Sequence, residues 1–440
     1  MMKLDRFDWL AVLALLMTFA LVAAAPFGPK ALGDGDFHKH AKRLASALKG
    51  VGPLSEVEIR KAPGPILYYL VPYLTVPVGS PDRRYWATGV VWSAAWMAVA
   101  LLLVRRTASR LGGDVAGKAA MCLALLSPFS IYYSFGIAAE GPAYVSMALF
   151  LHGWVRGADK DADGTWRWHA LMAIGLLFLM LNRPNAGLIP ILALAAAWRL
   201  WRTDRAAARA TAAGAVLTLV MFVTAGLLIS FLHGGPARSN QTDYFWITTL
   251  QGRYQFRTEV TDWRFWDTST RAGSQDFLDF VDRDLQLRRE AAEKGIQVKE
   301  AFRDWVIADT VAHPFLTVRM ALVRVLSLHV NLVNSKPPSA FRAGPIPGPL
   351  VYWTFHGFVN LIGLSISALA LYFLWVRRAA LAAIWPLWIP WLALVLFHAI
   401  VYAEPRYLLP ARYGQVVMAG CAIAGLAAYR RRPAGVEEVA

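Results

Sequence analysis

The sequence predicts an all-α polytopic membrane protein, and three observations predict it. Of its 440 residues 57% are hydrophobic and 18 are Trp, more apolar and aromatic material than a soluble core consumes. The apolar residues come in blocks of about 20, the length that crosses a bilayer as a helix. Lys and Arg cluster beside those blocks, where they orient helices and meet anionic headgroups. The formal net charge of +16 is accounted for in this way, and nucleic acid is not an expected partner. Cys122 and Cys421 both fall inside predicted spans with no metal-type spacing, so no disulfide framework is read.

Ten segments qualify as spans: 8–27, 84–104, 118–137, 140–156, 168–182, 185–201, 210–232, 351–376, 380–402 and 407–429. The first resembles a signal peptide, because Val22-Ala23-Ala24-Ala25 looks like a cleavage site, but Pro26 directly after it argues for a retained helix. The fifth and sixth are short and read as tilted or partly interfacial. Arg105, Arg106, Arg110 and Lys118 fill one connection, and Arg199, Arg202, Arg205 and Arg209 another. Those connections are expected in the cytoplasm. Both termini then lie inside, while the loop after span one, the Glu140 turn, the Asn182-Arg183-Pro184 corner and residues 233–350 lie outside. Arg377-Arg378 and Arg430-Arg431-Arg432 keep to the inner side only if the apolar stretch 315–333 does not cross, and its Arg319, Arg324 and His329 suit an interfacial or re-entrant segment.

The chain therefore divides into an N-terminal transmembrane module, 1–232, with a first external loop at 28–83, then an external amphipathic region, 233–350, and C-terminal spans, 351–440. In the external region Phe277, Leu278, Val281 and Leu285 recur at helical spacing until Lys294-Gly295 stops the helix. Phe302, Trp305 and Val306 mark a second amphipathic helix ending near Pro314, and 336–349 reads as a Pro/Gly-rich connector. The sequon Asn240-Gln241-Thr242 carries little weight without a secretory context.

Chemistry-bearing residues gather in five places. The acidic cluster Asp34-Gly35-Asp36-Phe37-His38 directly follows the first span, where an enzyme acting on lipid-borne substrate must hold its carboxylates. Arg60-Lys61-Ala62-Pro63-Gly64-Pro65 runs into Tyr68-Tyr69 and sets two cations beside a proline-stiffened segment. Glu140-Gly141-Pro142 opens the fourth span, Asn182-Arg183-Pro184-Asn185 forms a corner, and Glu404-Pro405-Arg406-Tyr407 precedes Pro410 at the head of the last span. Charge counting alone puts all five on the outer side.

Together these five places resemble the GT-C superfamily of membrane glycosyltransferases, most closely the bacterial branch near the protein O-mannosyltransferases and the lipid A aminoarabinose transferases. The family's first-loop motif is Asp-Glu-x-Tyr/Phe, and here Gly35 stands where the Glu is expected. Either Asp34 or Asp36 is then the base. The resemblance implies a GT-C-like bundle and inverting transfer of a sugar from a polyprenyl-phosphate donor to a lipid, glycan or protein acceptor, at the outer face of what reads as a bacterial inner membrane. It makes Asp34, Asp36 and Glu140 the catalytic candidates and Lys61, Arg60, Tyr68, Arg183, Glu404, Arg406 and Tyr407 the substrate-binding ones. No cofactor is expected, since the leaving phosphate is already charged.

Each candidate also has a plainer role. Asp34 and Asp36 are equally at home as solvated loop acids, Glu140 as a helix N-terminal charge, Arg60 and Lys61 as headgroup anchors, Arg183 as a helix cap, and Arg406 as the partner of Glu404. His38 and His40 beside the aspartates are poorly spaced for a metal site on a helix. Two other functions compete. A transporter or lipid flippase would carry its charges at the midplane on interrupted helices, and a surface-polysaccharide polymerase or ligase would rely on external Arg and His more than on an Asp directly after helix one.

Overall fold

The computed structural model describes residues 4–24, 35–53, 63–127, 139–158, 165–232, 240–260, 274–329, 348–403 and 405–430. Among these residues the protein is helical throughout, without strands, in agreement with the all-α expectation. The N-terminal module contains α1 (Arg6–Ala24), α2 (Gly35–Leu48), α3 (Pro63–Tyr73), α4 (Asp82–Leu126), α5 (Glu140–Gly157), α6 (Thr165–Asn182), a 3-10 turn (Pro184–Gly187), α7 (Leu188–Leu200) and α8 (Arg205–Leu232). The 233–350 region, expected outside, supplies α9 (Asn240–Tyr254), α10 (Gln275–Lys294), α11 (Val298–Ala312) and α12 (Pro314–His329). The C-terminal part is α13 (Gly348–Val376), α14 (Trp385–Ile400), a 3-10 segment (Pro405–Ala411) and α15 (Arg412–Arg430).

The second and third expected spans share α4, which is broken where Gly113 takes φ 82°, a backbone conformation open to glycine. The expected loop shrinks to that break, because the helix continues through the basic cluster up to Leu111. Arg105 is buried there and binds Asp5, Asp8 and Asp114, which ties the start of α1 to the break. α5 and α6 pack closely, since a Cβ on Gly153 would lie 2.6 Å from the Met172 nitrogen and one on Gly175 2.5 Å from the Phe150 nitrogen. Small residues of this kind let membrane helices approach where no hydrophobic force drives them together.

Three helical stretches, Asp82–Leu126, Arg205–Leu228 and Gly357–Val376, are long and apolar enough to cross a membrane by length and composition, among the described residues. The helices at the other expected spans are shorter or less apolar, so ten crossings remain the expectation of the sequence.

In the 233–350 region Ser274 caps α10 by accepting from the Phe277 nitrogen, and Gly295 ends it at φ 65°. The buried stripe of α10 is Phe280, Leu287 and Ala291; Leu278 and Leu285, expected to face inward, are exposed. Both lie on the side of α10 opposite that stripe, roughly 140–160° around the helix from Phe280. On α11 Phe302 and Val306 are buried as expected. α11 and α12 meet at 104° beside Pro314, whose ring cannot continue the helix. The polarity of α12 is inside out. Val318, Leu322 and Leu326 are exposed, whereas Arg324 is 1% exposed and donates to the carbonyls of Ala399 and Gly252. α11 and α12 together are long and apolar enough for one broken span or a re-entrant loop, so the expected interfacial or re-entrant reading of 315–333 remains an expectation; residues 330–333 lie outside the described residues.

Candidate functional site

The site is built where α5, α6 and the 405–411 segment meet. Glu140 stands in the first turn of α5, 2% exposed, and forms an ion pair with Arg183 at the end of α6. Two hydrogen bonds fix that geometry: Asn182 Nδ2 donates to Ser146 Oγ at 3.2 Å, and Ser146 Oγ donates to the Pro142 carbonyl at 2.7 Å. The Arg-Pro corner follows from the sequence, because Pro184 keeps Arg183 extended, at φ −141° and ψ 93°.

The third partner arrives from far along the chain. The Tyr407 ring lies 5.2 Å from the Arg183 guanidinium and 5.4 Å from that of Arg406, so one aromatic face system serves two cations. His398 of α14 stacks on the same ring at 4.8 Å, and His398 Nδ1 lies 2.9 Å from the Tyr402 carbonyl. A carbonyl only accepts, so Nδ1 carries the proton and Nε2 is left to accept from Asn185 Nδ2 at 2.8 Å. The neutral imidazole thus joins the Arg183 corner to the segment bearing Arg406.

The start of α3 reaches the same place. A Cβ on Gly64 would lie 2.5 Å from Asn182 Oδ1 and 2.6 Å from its backbone nitrogen, so the start of α3 presses on the residue before Arg183. Lys61 and Arg60 themselves lie outside the described residues, as do Asp34 and Glu404. Tyr68, on α3, lies in an aromatic cluster with Tyr69 and Trp92, at 4.9 and 6.2 Å. Asp36 belongs to the first turn of α2. That helix is held through His38, whose Nδ1 shares a 2.7 Å hydrogen bond with Tyr73 Oη. Tyr73 is at the far end of α3, about 13 Å of helix from Gly64. Burial holds His38 below the ordinary imidazole value, and nearby Lys42 binds Asp82 at 2.5 Å. Among the described residues no group of three His, Cys, Asp or Glu gathers as a metal site would require.

A clamp from α9 and Gln255 just after it, unforeseen in the sequence, holds the Arg406 segment from the other side. Gln255 Nε2 donates to the Ala403 carbonyl at 2.8 Å while its Oε1 accepts from the Ala403 nitrogen at 2.9 Å, and the Tyr402 nitrogen donates to the Thr248 carbonyl at 2.9 Å. Gly252 touches the same strand of chain, where an added Cβ would lie 2.8 Å from the Val401 carbonyl carbon. Beneath it Arg253 and Arg257 converge on Asp309, at 2.5 and 3.0 Å. Burial raises the Asp309 pKa, but the hydrogen bonds from Arg257 and Arg253 outweigh it and hold the carboxyl below its ordinary range.

The arrangement offers two guanidinium groups around one ring at the junction of four of the five sequence motifs, a geometry suited to a phosphate. Of the residues that sequence reasoning missed, His398 left a signal, as an ionisable side chain inside an apolar run. Gln255 left none.

No protein-family model matches the chain, and no curated protein sequence does. A solved structure does match: the archaeal oligosaccharyltransferase AglB from Archaeoglobus fulgidus, in complex with an inhibitory peptide and a dolichol-phosphate, at TM-score 0.51 and 12% identity. The match covers 99% of this chain and 53% of that one, so the chain spans about half its length. At that identity the likeness is one of fold.

Proposed function

We propose that the chain is an inverting glycosyltransferase of GT-C architecture that takes a sugar from a polyprenyl-phosphate-linked donor and passes it to an acceptor at the outer face of the membrane. One observation carries this reading: Glu140, Arg183 and Arg406-Tyr407, far apart in sequence, converge on a single cluster in a fold shared with an oligosaccharyltransferase. A dolichol-phosphate accompanies that relative, which fits the lipid-phosphate chemistry inferred for this site.

In the proposed reaction an acceptor hydroxyl attacks the anomeric carbon as a carboxylate, Asp34 or Asp36, takes its proton. The bond from that carbon to the phosphate oxygen breaks on the opposite side, and polyprenyl phosphate leaves with one more negative charge. Arg183 and Arg406, with Lys61, meet that charge. Glu140 orients Arg183 instead of acting as the base, since it is already committed to an ion pair. The leaving group is charged before the reaction begins, so transfer is expected to proceed without a divalent ion.

The test is to incubate the purified protein, with membrane extract as acceptor, with a panel of radiolabelled polyprenyl-phosphate sugars. Release of polyprenyl phosphate together with labelled acceptor supports the reading. Movement of intact donor across proteoliposomes with no release would assign the chain to the transporter class.

A further inference from the structure

A cavity of about 630 Å³ opens between α13, α15 and the break in α4. It is remote from the site above. α15 starts at Arg412, next to the 405–411 segment, and reaches Gly425 of the cavity wall after 13 residues, roughly 20 Å of helix. Leu111, Phe373, Val376, Cys421 and Leu426 make the walls apolar, and Arg377 is the cation among the lining residues, none of which carries a carboxylate. Arg377 is exposed, and so is its neighbour Arg378. In the sequence Arg430, the last residue of α15, is followed by two further arginines and by no acid before Glu437. Arginines therefore directly follow α13 and close α15, on the side that charge counting assigns to the cytoplasm.

An apolar cleft with a cationic mouth asks for a ligand with hydrocarbon at one end and negative charge at the other. Water fits it poorly, because the walls offer few polar partners. Basic pockets between spanning helices on the cytoplasmic side suit anionic lipid headgroups. We propose that this cavity binds an anionic phospholipid of the inner leaflet, its acyl chain against Phe373, Val376, Cys421 and Leu426 and its phosphate at Arg377. The site is independent of the transfer chemistry and stands whether or not the chain is a glycosyltransferase.

The test uses the full chain in mixed micelles holding equal amounts of phosphatidylglycerol and phosphatidylcholine, with retained lipid counted by native mass spectrometry. One arginine near a surface phosphate is worth about fivefold in occupancy, so the protein retains phosphatidylglycerol over phosphatidylcholine by about that factor. Arg377→Gln removes the preference. Gly425→Phe fills the cavity, since a Cβ at Gly425 meets nothing within 4 Å, and it displaces the bound lipid. Ala428→Phe, on the same wall, serves in its place if Gly425→Phe does not elute as a folded protein. Equal retention of the two lipids by the unaltered protein overturns the proposal. So does a preference that survives Arg377→Gln, or lipid retained unchanged when the cavity is filled.

Discussion

Removing Arg183 should damage the protein more than removing Glu140, although the two form one ion pair. Their side chains are unequally wet: Arg183 is 14% exposed and Glu140 is 2% exposed. Glu140→Gln leaves a guanidinium with some access to water and with the Tyr407 ring still 5.2 Å away. Arg183→Met leaves a carboxylate sealed at the head of α5. Stranding one member of a buried pair costs about 3–5 kcal/mol, so Arg183→Met is expected near that range and Glu140→Gln below it. The double variant restores part of the loss, because no charge is left unpaired, with a coupling of about 1–3 kcal/mol. Reversible unfolding in mixed micelles reads all three variants against the parent. Equal single losses that add in the double variant would refute the pairing and leave Glu140 as a helix-end charge.

Four further outcomes follow from the same geometry. Gly252→Ala drives a Cβ into the backbone of Val401 and Tyr402; transfer should fall and amide exchange across 400–411 should rise, and unchanged exchange would show that the clamp does not hold the site. Asp34→Asn and Asp36→Asn should differ, one lowering transfer by about a hundred- to ten-thousand-fold while lipid-phosphate binding persists; near-normal turnover in both removes the first loop from the chemistry. Lys61→Ala and Arg406→Ala should each weaken donor use with a double loss smaller than the sum, whereas strictly additive losses would separate the two cations. Because the folded pKa of Asp309 is depressed, its stabilising contribution is present above the ordinary value of 3.8 and lost as pH falls through the lowered folded value. Protection of α9 and α11 amides should therefore hold through mildly acidic pH and fail below it, and Asp309→Asn should flatten that dependence.

The apolar and amphipathic helices were legible in part because apolar runs and charge clusters are local signals, whereas the short helices α2, α3 and α9 were not foreseen. Gly295 ends α10 where the pattern placed its stop, and α11 ends just before Pro314. What failed was the facing of residues whose partner helix is distant in sequence: Leu278 and Leu285 fit a helical stripe, yet the stripe that packs is set by α9 and α11. The convergence of Glu140, Arg183 and Tyr407 could be suspected from their common outer side, but no spacing rule brings residue 140 to residue 407. Gln255 was invisible for a sharper reason. Its role depends on two backbone atoms of Ala403, and a backbone partner leaves no mark on side-chain patterns.

The central claim is that Arg183 and Arg406, around Tyr407, form the seat of a lipid phosphate. A structure of the protein determined with bound polyprenyl phosphate tests it most directly. The account predicts the phosphate oxygens within hydrogen-bond distance of Arg183 or Arg406, beside the Tyr407 ring; a phosphate held elsewhere, with the Glu140–Arg183 pair unaltered and out of its reach, would contradict it.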